Sequence, residues 1–501
     1  MTAIDPAKLL VECIPILPEM LLFFFAFIIL VVSAILPKQD RRWIAWLSLT
    51  GTVLVVPTVF NDARNLAGMA ATPVFFGDVA VDPLAFYFKM VVLVGAILSI
   101  LISVDYLEVE RTQSGEYYAL IMMATAAMMF MACSLSLLMI FISLETMALC
   151  IYILVGFLKE NRKSNEAGLK YFILGGFSTA IFLYGTSLVY GATGSIQLSR
   201  IAAVAVPGAP GIEMMVLGLI LIIVSLGFKV AAVPFHMYIP DVYEGAPTAI
   251  TAFISTAAKA AAFMVMVRVL LAGFPGLYTW WAPLIALIAA ASMTLGNITA
   301  ILQDNMKRML AYSSIAHAGY TLVGVLVAGI PGETGQFGLK AVAVYLLIYT
   351  FMNIGAFGMV IMLRRANLAG DQVEDFSGLA KRSPLAAFTM LILLLSLAGI
   401  PPLAGFMGKW YLFGAAIKGN YAWLAVLMVL NSAVSLYYYL RVVVCMYLRK
   451  PLTDEPYAMS PALNTALAIS LGMTFLIGVM PERLLAFATF SYSMVMAASS
   501  G

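Results

Sequence analysis

Long apolar runs separated by short polar breaks repeat along the whole chain. A helix needs about 20 apolar residues to cross a bilayer core. The pattern predicts fourteen such helices, at 14–36, 43–60, 84–104, 117–133, 135–158, 166–191, 212–238, 248–272, 279–301, 305–329, 337–363, 384–418, 421–447 and 460–480. These are helices 1 to 14 in chain order. A short amphipathic tail is expected at 482–497. The first run is too long for a signal-peptide core, and Asp5, Lys8 and Glu12 before it lack a positive bias, so it reads as a membrane helix.

Two runs are interrupted. Helix 7 carries Lys229 and then Pro234. Helix 12 is too long for one straight span and contains GIPPLAG at 399–405, ahead of Lys409. Proline removes a backbone donor, and at membrane depth a broken helix survives only against protein or a wet cavity. The two breaks lie five helices apart. Glu145 in the middle of helix 5 and His317 in helix 10 repeat that offset. An odd offset turns one half over relative to the other, and matched broken helices in inverted repeats mark transporters. The fold expected is an all-α polytopic membrane protein, one domain over 1–501. Residues 1–110 carry helices 1–3, 117–272 the first repeat (helices 4–8), 279–447 the inverted second repeat (helices 9–13), and 460–501 the last helix and tail.

Composition removes other classes. The chain has 501 residues, 63% hydrophobic and 11% charged, where soluble domains carry roughly 25% charged residues. Little mass is left outside the membrane. The net charge of +3 comes without a basic block, so no nucleic-acid partner is implied. Cys13, Cys133, Cys150 and Cys445 are scattered, with no CxxC pair or Cys/His cluster for iron–sulfur or zinc. Nor is there a phosphate-binding glycine loop, so no cofactor or metal site is expected on this chain. With loops numbered alternately, Lys and Arg concentrate on one side, among them Lys38, Arg41, Arg42, Lys159, Arg162, Lys163, Lys307, Arg308, Lys381, Arg382, Arg449 and Lys450. The positive-inside rule makes that side cytoplasmic and puts both termini outside.

The candidate chemistry is what remains charged at membrane depth. A lysine at the bilayer centre costs about 2.5–3.5 kcal/mol on insertion scales, and intramembrane ionisable groups mark ion pathways. Lys229, Lys259 and Lys409 are three such lysines, and Glu145 is the carboxylate that could pair with Lys229. Burial disfavours a charged lysine and a nearby carboxylate restores it, so such a pair can pass a proton. His236 and His317, the only two histidines, read either as satisfied polar core residues or as relay groups. Asp241 and Glu244 are candidates to line a cytoplasmic entrance. Arg268 and Arg441 read as structural. Lys89, Lys340 and Glu19 read as groups flanking helix ends, and the run Tyr437-Tyr438-Tyr439 as packing.

The motifs PFHMYIPDVYEGAPT, SSIAHAGY and GIPPLAGFMGKW together resemble the antiporter-like subunits of respiratory complex I and of related cation/proton antiporters. The likeness is clearest over 80–450. Lys409 in helix 12, the DVYEGAPT connection and the absence of a long lateral helix resemble the N-type branch, the counterpart of mitochondrial subunit 2. The resemblance implies an ion pair of Glu145 with Lys229, a connecting lysine at Lys259, a terminal lysine at Lys409 and a central histidine at His317. It implies proton translocation coupled to quinone reduction, with flavin, iron–sulfur clusters and quinone on partner subunits. The partners implied are an antiporter-like chain of the M type, small K-type chains, the lateral helix of an L-type chain, and membrane lipids. The location implied is a bacterial inner membrane. A subunit of a multisubunit sodium/proton antiporter is the alternative.

Overall fold

The computed structural model describes residues 13–36, 42–65, 73–75, 77–110, 112, 114–365, 370–452 and 460–482. The tail at 482–497 and the cations Lys8, Lys38 and Arg41 fall almost wholly outside that set. Short polar side chains start many of the helices by accepting from first-turn N–H groups. Asp82 caps at Ala85 (2.6 Å), Ser136 at Met139, Asn161 at Lys163 and Ser164, Asn305 at Arg308, and Ser460 at Leu463.

The helices, in chain order, are α1 (Leu17–Ile35), α2 (Arg42–Asn65), α3 (Pro83–Val109), α4 (Gly115–Cys133), α5 (Leu137–Val155) and α6 (Arg162–Thr193). The seventh is split into α7a (Ile212–Lys229) and α7b (Ile239–Gly245). Then come α8 (Thr248–Gly273), α9 (Tyr278–Ile301), α10 (Met306–Ala328) and α11 (Glu333–Arg365). The twelfth is split into α12a (Pro384–Ala398) and α12b (Ala404–Lys418), followed by α13 (Ala422–Leu448) and α14 (Pro461–Val479). Among the described residues, 13 helices are long and apolar enough to cross a membrane. The split twelfth makes the fourteen the sequence predicts. A two-stranded hairpin, β1 (Pro73–Val74) antiparallel to β2 (Val79–Ala80), precedes α3.

Both breaks follow from missing donors. Pro234 cannot donate to the Val230 carbonyl, and α7a accordingly ends at Lys229, several residues short of the expected 238. Pro401 and Pro402 leave the Leu397 and Ala398 carbonyls without helical donors, and α12a ends at Ala398 with Gly399 left-handed (φ 91°). Helix α8 is loosened differently, by a π turn at Ile254–Ala258 immediately before Lys259. Such turns cluster at functional sites.

Helices α8, α10 and α11 are buried almost throughout, whereas α6 and α13 show apolar faces outward. Helix α10 lies along α9 and contacts α11, α7b and α12b.

Candidate functional site

In the first half, Lys229 is the last residue of α7a and is buried. Its Nζ donates to Tyr152 Oη at 3.4 Å and sits over the Tyr152 and Phe228 rings at 5.9 and 5.8 Å. Tyr152 packs edge-on to Tyr171, whose ring stacks on Tyr238. Gly175 of α6 makes this seat: a Cβ there would fall inside van der Waals distance of the Tyr152 hydroxyl.

Glu145 lies seven residues before Tyr152 on α5, about 10 Å along the axis on the same face. Among the described residues no ion pair joins it to Lys229, and its Oε2 is buried without a hydrogen-bond partner. The direct pair implied by the resemblance is therefore not closed in this structure. The Tyr152 phenol holds the ammonium instead.

Lys259 begins the regular part of α8 after the π turn. Its Nζ donates to the Ser314 carbonyl at 2.8 Å and to Ser314 Oγ. Within the π turn, Ser255 Oγ accepts from Asn353 Nδ2 at 2.6 Å. His317 follows Ser314 on α10 by one turn. Its Nδ1 is hydrogen-bonded to Tyr345 Oη, and its Nε2 lies 3.3 Å from Tyr439 Oη. Tyr439 Oη is in turn 2.5 Å from Ser313 Oγ.

The line continues toward the second break. The Tyr438 and Tyr439 rings are 4.4 Å apart. Tyr438 Oη donates to Asn297 Oδ1 at 3.0 Å, and Asn297 Nδ2 donates to Tyr320 Oη at 2.9 Å. Lys409 Nζ sits 5.1 Å from the Tyr320 ring centre. It donates at 2.8 Å to the Ala398 carbonyl, one of the two that the prolines leave free. Lys259, His317 and Lys409 thus flank one set of buried polar side chains on α9, α10, α11 and α13, without an unbroken hydrogen-bond chain between them among the described residues. Among the described residues Lys229 and Lys259 share no hydrogen-bond partner.

His236 is placed apart. It lies half-buried in the helix-7 break beside Met237, which is 78% exposed, and its Nδ1 has no partner. It touches none of the lysines through a hydrogen bond among the described residues.

Several residues carry more than their sequence reading. Tyr438 and Tyr439 are polar members of the line rather than packing; only Tyr437, 60% exposed, fits the outward face. The recurrence of Ser313, His317 and Tyr320 on one face of α10 was the available signal. Lys89 and Glu19 do not flank helix ends in solvent. They form a buried ionic contact at 2.6 Å, with side chains 6% and 0% exposed. Arg268 is structural as expected: it pairs with Asp82 at 2.7 Å and donates to the Ala132 carbonyl. Arg441 likewise binds Asp304 and loop carbonyls. Asp241 and Glu244 line a cleft of about 140 Å³ with Lys163, Glu166 and Lys170. No group of three His, Cys, Asp or Glu able to hold a metal occurs among the described residues.

The family model for NADH:quinone oxidoreductase and Mrp antiporter membrane subunits matches residues 134–435, which include Glu145, Lys229, Lys259, His317 and Lys409. The chain belongs to this family. NADH-quinone oxidoreductase subunit N of Trichlorobacter lovleyi is 42% identical over 96% of this chain and 97% of its own length. Subunit N 2 of Rhizobium meliloti is 45% identical over 95% of this chain and 96% of its own. A chain of respiratory complex I from Thermus thermophilus superposes with a TM-score of 0.77 at 32% identity, covering 94% of this chain and 98% of that one. Each helix break in this chain lies next to a lysine, Lys229 at the first and Lys409 at the second.

Proposed function

We infer that this chain is a proton-translocating membrane-arm subunit of NADH:quinone oxidoreductase, with NADH oxidation and quinone reduction carried by other subunits. The observation that carries this reading is the buried polar line from Lys259 through His317 and the two tyrosines to Lys409. A redox-only or scaffolding chain has no need of it. The relatives named above favour this reading over a free-standing sodium/proton antiporter.

The chemistry follows from the partners. An ammonium has three donors and no acceptor. Lys229 is given one partner group, Lys259 one serine and Lys409 one carbonyl. Each lysine therefore keeps an N–H free for water, through which a proton can leave. Tyrosine and serine hydroxyls both donate and accept, and imidazole can take a proton on one nitrogen and release it from the other. A proton arriving at Lys259 passes to the His317–Tyr439–Ser313 cluster. Asn297, an amide that does not carry the proton, fixes the Tyr438 and Tyr320 hydroxyls along the way. Water beside the α12 break completes the step to Lys409. Charge on one buried lysine disfavours charge on the next, so uptake at one end drives release at the other. Glu145 tunes Lys229 across the Tyr152 gap.

The chain is a multi-pass membrane protein that works beside other membrane-arm subunits. Neighbours of the M, K and L types, lipid contacts, a bacterial inner membrane and outward termini complete the reading, with helices 4–8 and 9–13 as inverted repeats. The test is Lys259→Met in assembled complex. Quinone reduction coupled to proton transfer should collapse while NADH:ferricyanide reduction stays at wild-type level. Equal loss of both rates, or neither, contradicts the relay role of Lys259.

A further inference from the structure

The corner between α7b and α8 poses a backbone problem. Pro247 has no N–H, so the Tyr243 carbonyl, four residues earlier, has no helical donor. Buried carbonyls require partners. Thr251 Oγ1 supplies one to Tyr243 at 3.1 Å. The Glu244 and Ala246 carbonyls are taken by a single side chain from another helix. Lys307, in the first turn of α10 and 2% exposed, donates to them at 2.7 and 2.8 Å.

The next residue holds the same segment by its side chains. Arg308 donates to Asp241 Oδ1 at 2.7 Å and to Glu244 Oε2 at 3.0 Å. From the opposite side, Lys163 and Lys170 of α6 reach Glu244 and Asp241, each at 2.8 Å. The seven-residue α7b is thus gripped on both its carbonyls and its carboxylates by adjacent residues of α10. Seven residues on, and on the same face of α10, Ser314 holds Lys259.

We propose that Lys307, with Arg308, is a positioning residue for proton transfer: it fixes the α7b–α8 corner to α10 and so sets where Lys259 meets Ser314. This rests on the relay reading and adds a part to it. Lys307 is not itself a relay group. It spends two of its three donors on backbone carbonyls that have no other partner among the described residues, and it cannot leave them without stranding both. Lys229 and Lys409 each donate to one group, and both bonds of Lys259 go to a single serine, whose hydroxyl can itself take or give a proton. The clamp also ties the break that carries Lys229 to the helix that carries His317, so the two halves move as one at this end.

The test uses the assembled complex in membranes, with amide hydrogen exchange over 239–253 as well as coupled quinone reduction. Lys307→Met should raise exchange across that segment and cut coupled turnover by about ten- to a hundredfold, the order that a misplacement of about 1 Å costs. Lys307→Arg, whose fork can serve both carbonyls, should restore both readouts. Lost turnover with unchanged exchange overturns the positioning role, as does failure of arginine to rescue. Should Lys307→Met not assemble, Arg308→Gln decides: it removes the charged nitrogen Nη1 that bonds both Asp241 and Glu244, and unchanged exchange in α7b overturns the clamp. None of these outcomes touches the relay reading, which stands or falls on the lysines of the line.

Discussion

A buried lysine that must release a proton needs few partners, and the sparse bonding of Lys229 makes Tyr152 its most informative neighbour. A hydrogen bond to a charged group contributes about 1.5–3 kcal/mol. Tyr152→Phe should therefore slow coupled quinone reduction about tenfold or more with assembly intact. Gly175→Ala should reproduce the defect from another helix, because its Cβ would displace the Tyr152 hydroxyl. Wild-type rates in an assembled Gly175→Ala complex would remove Tyr152 from the account. At this scale the sequence shows the charges well, because a lysine or glutamate inside an apolar run has few explanations. It shows the neutral partners poorly. Asn297, Tyr438 and Tyr439 look like any polar or aromatic residue of a membrane helix until the packing brings them together, and Tyr152 does so until it meets Lys229. The expected Glu145–Lys229 contact failed for a related reason: spacing along α5 and α7a cannot tell which of two groups on one face, Glu145 or Tyr152, meets the ammonium.

At the scale of elements, the breaks were legible because proline chemistry is local. Where they begin depends on which carbonyl loses its donor, and that places the end of α7a at Lys229. The use of a freed carbonyl by a lysine was not legible: Lys409 and Ala398 lie on opposite sides of the break and meet only once it is folded. The π turn before Lys259 also left no mark in the sequence, since Ile254 to Ala258 fit an ordinary helix. The short α7b carries a pH prediction. Burial alone would raise the Asp241 and Glu244 carboxyls, but the bonds from Lys170, Lys163 and Arg308 outweigh it and hold both below their usual range. A carboxyl lowered on folding adds stability above its unfolded value, lost only as pH falls through its folded value. Exchange protection over 239–245, corrected for the intrinsic rate, should therefore persist from neutrality down through about pH 4. Loss of protection already above about pH 5 would mean that these pairs do not hold the segment.

Across the whole molecule, two buried ion pairs tie α3 to its surroundings: Lys89 with Glu19 of α1, and Asp82 with Arg268 of α8. Removing one partner of a buried pair costs about 3–5 kcal/mol because the other is left unpaired. Arg268→Leu should lower the yield of assembled complex on a native gel, and adding Asp82→Asn, which keeps the α3 cap, should recover much of it. No recovery would mean that the bond from Arg268 to Ala132 matters more than the pair. The helix number could be read from the sequence, since bilayer thickness acts on it directly. The partnership of Glu19 with Lys89 could not, because it joins helices distant in the chain. The central claim is that protons cross this subunit along the line ending at Lys409. Its most direct test is the ratio of protons pumped to NADH oxidised by assembled Lys409→Met complex in sealed vesicles. If protons leave through Lys409, the ratio, or pumping and quinone reduction together, falls well below wild type. A wild-type ratio at a wild-type rate would contradict it.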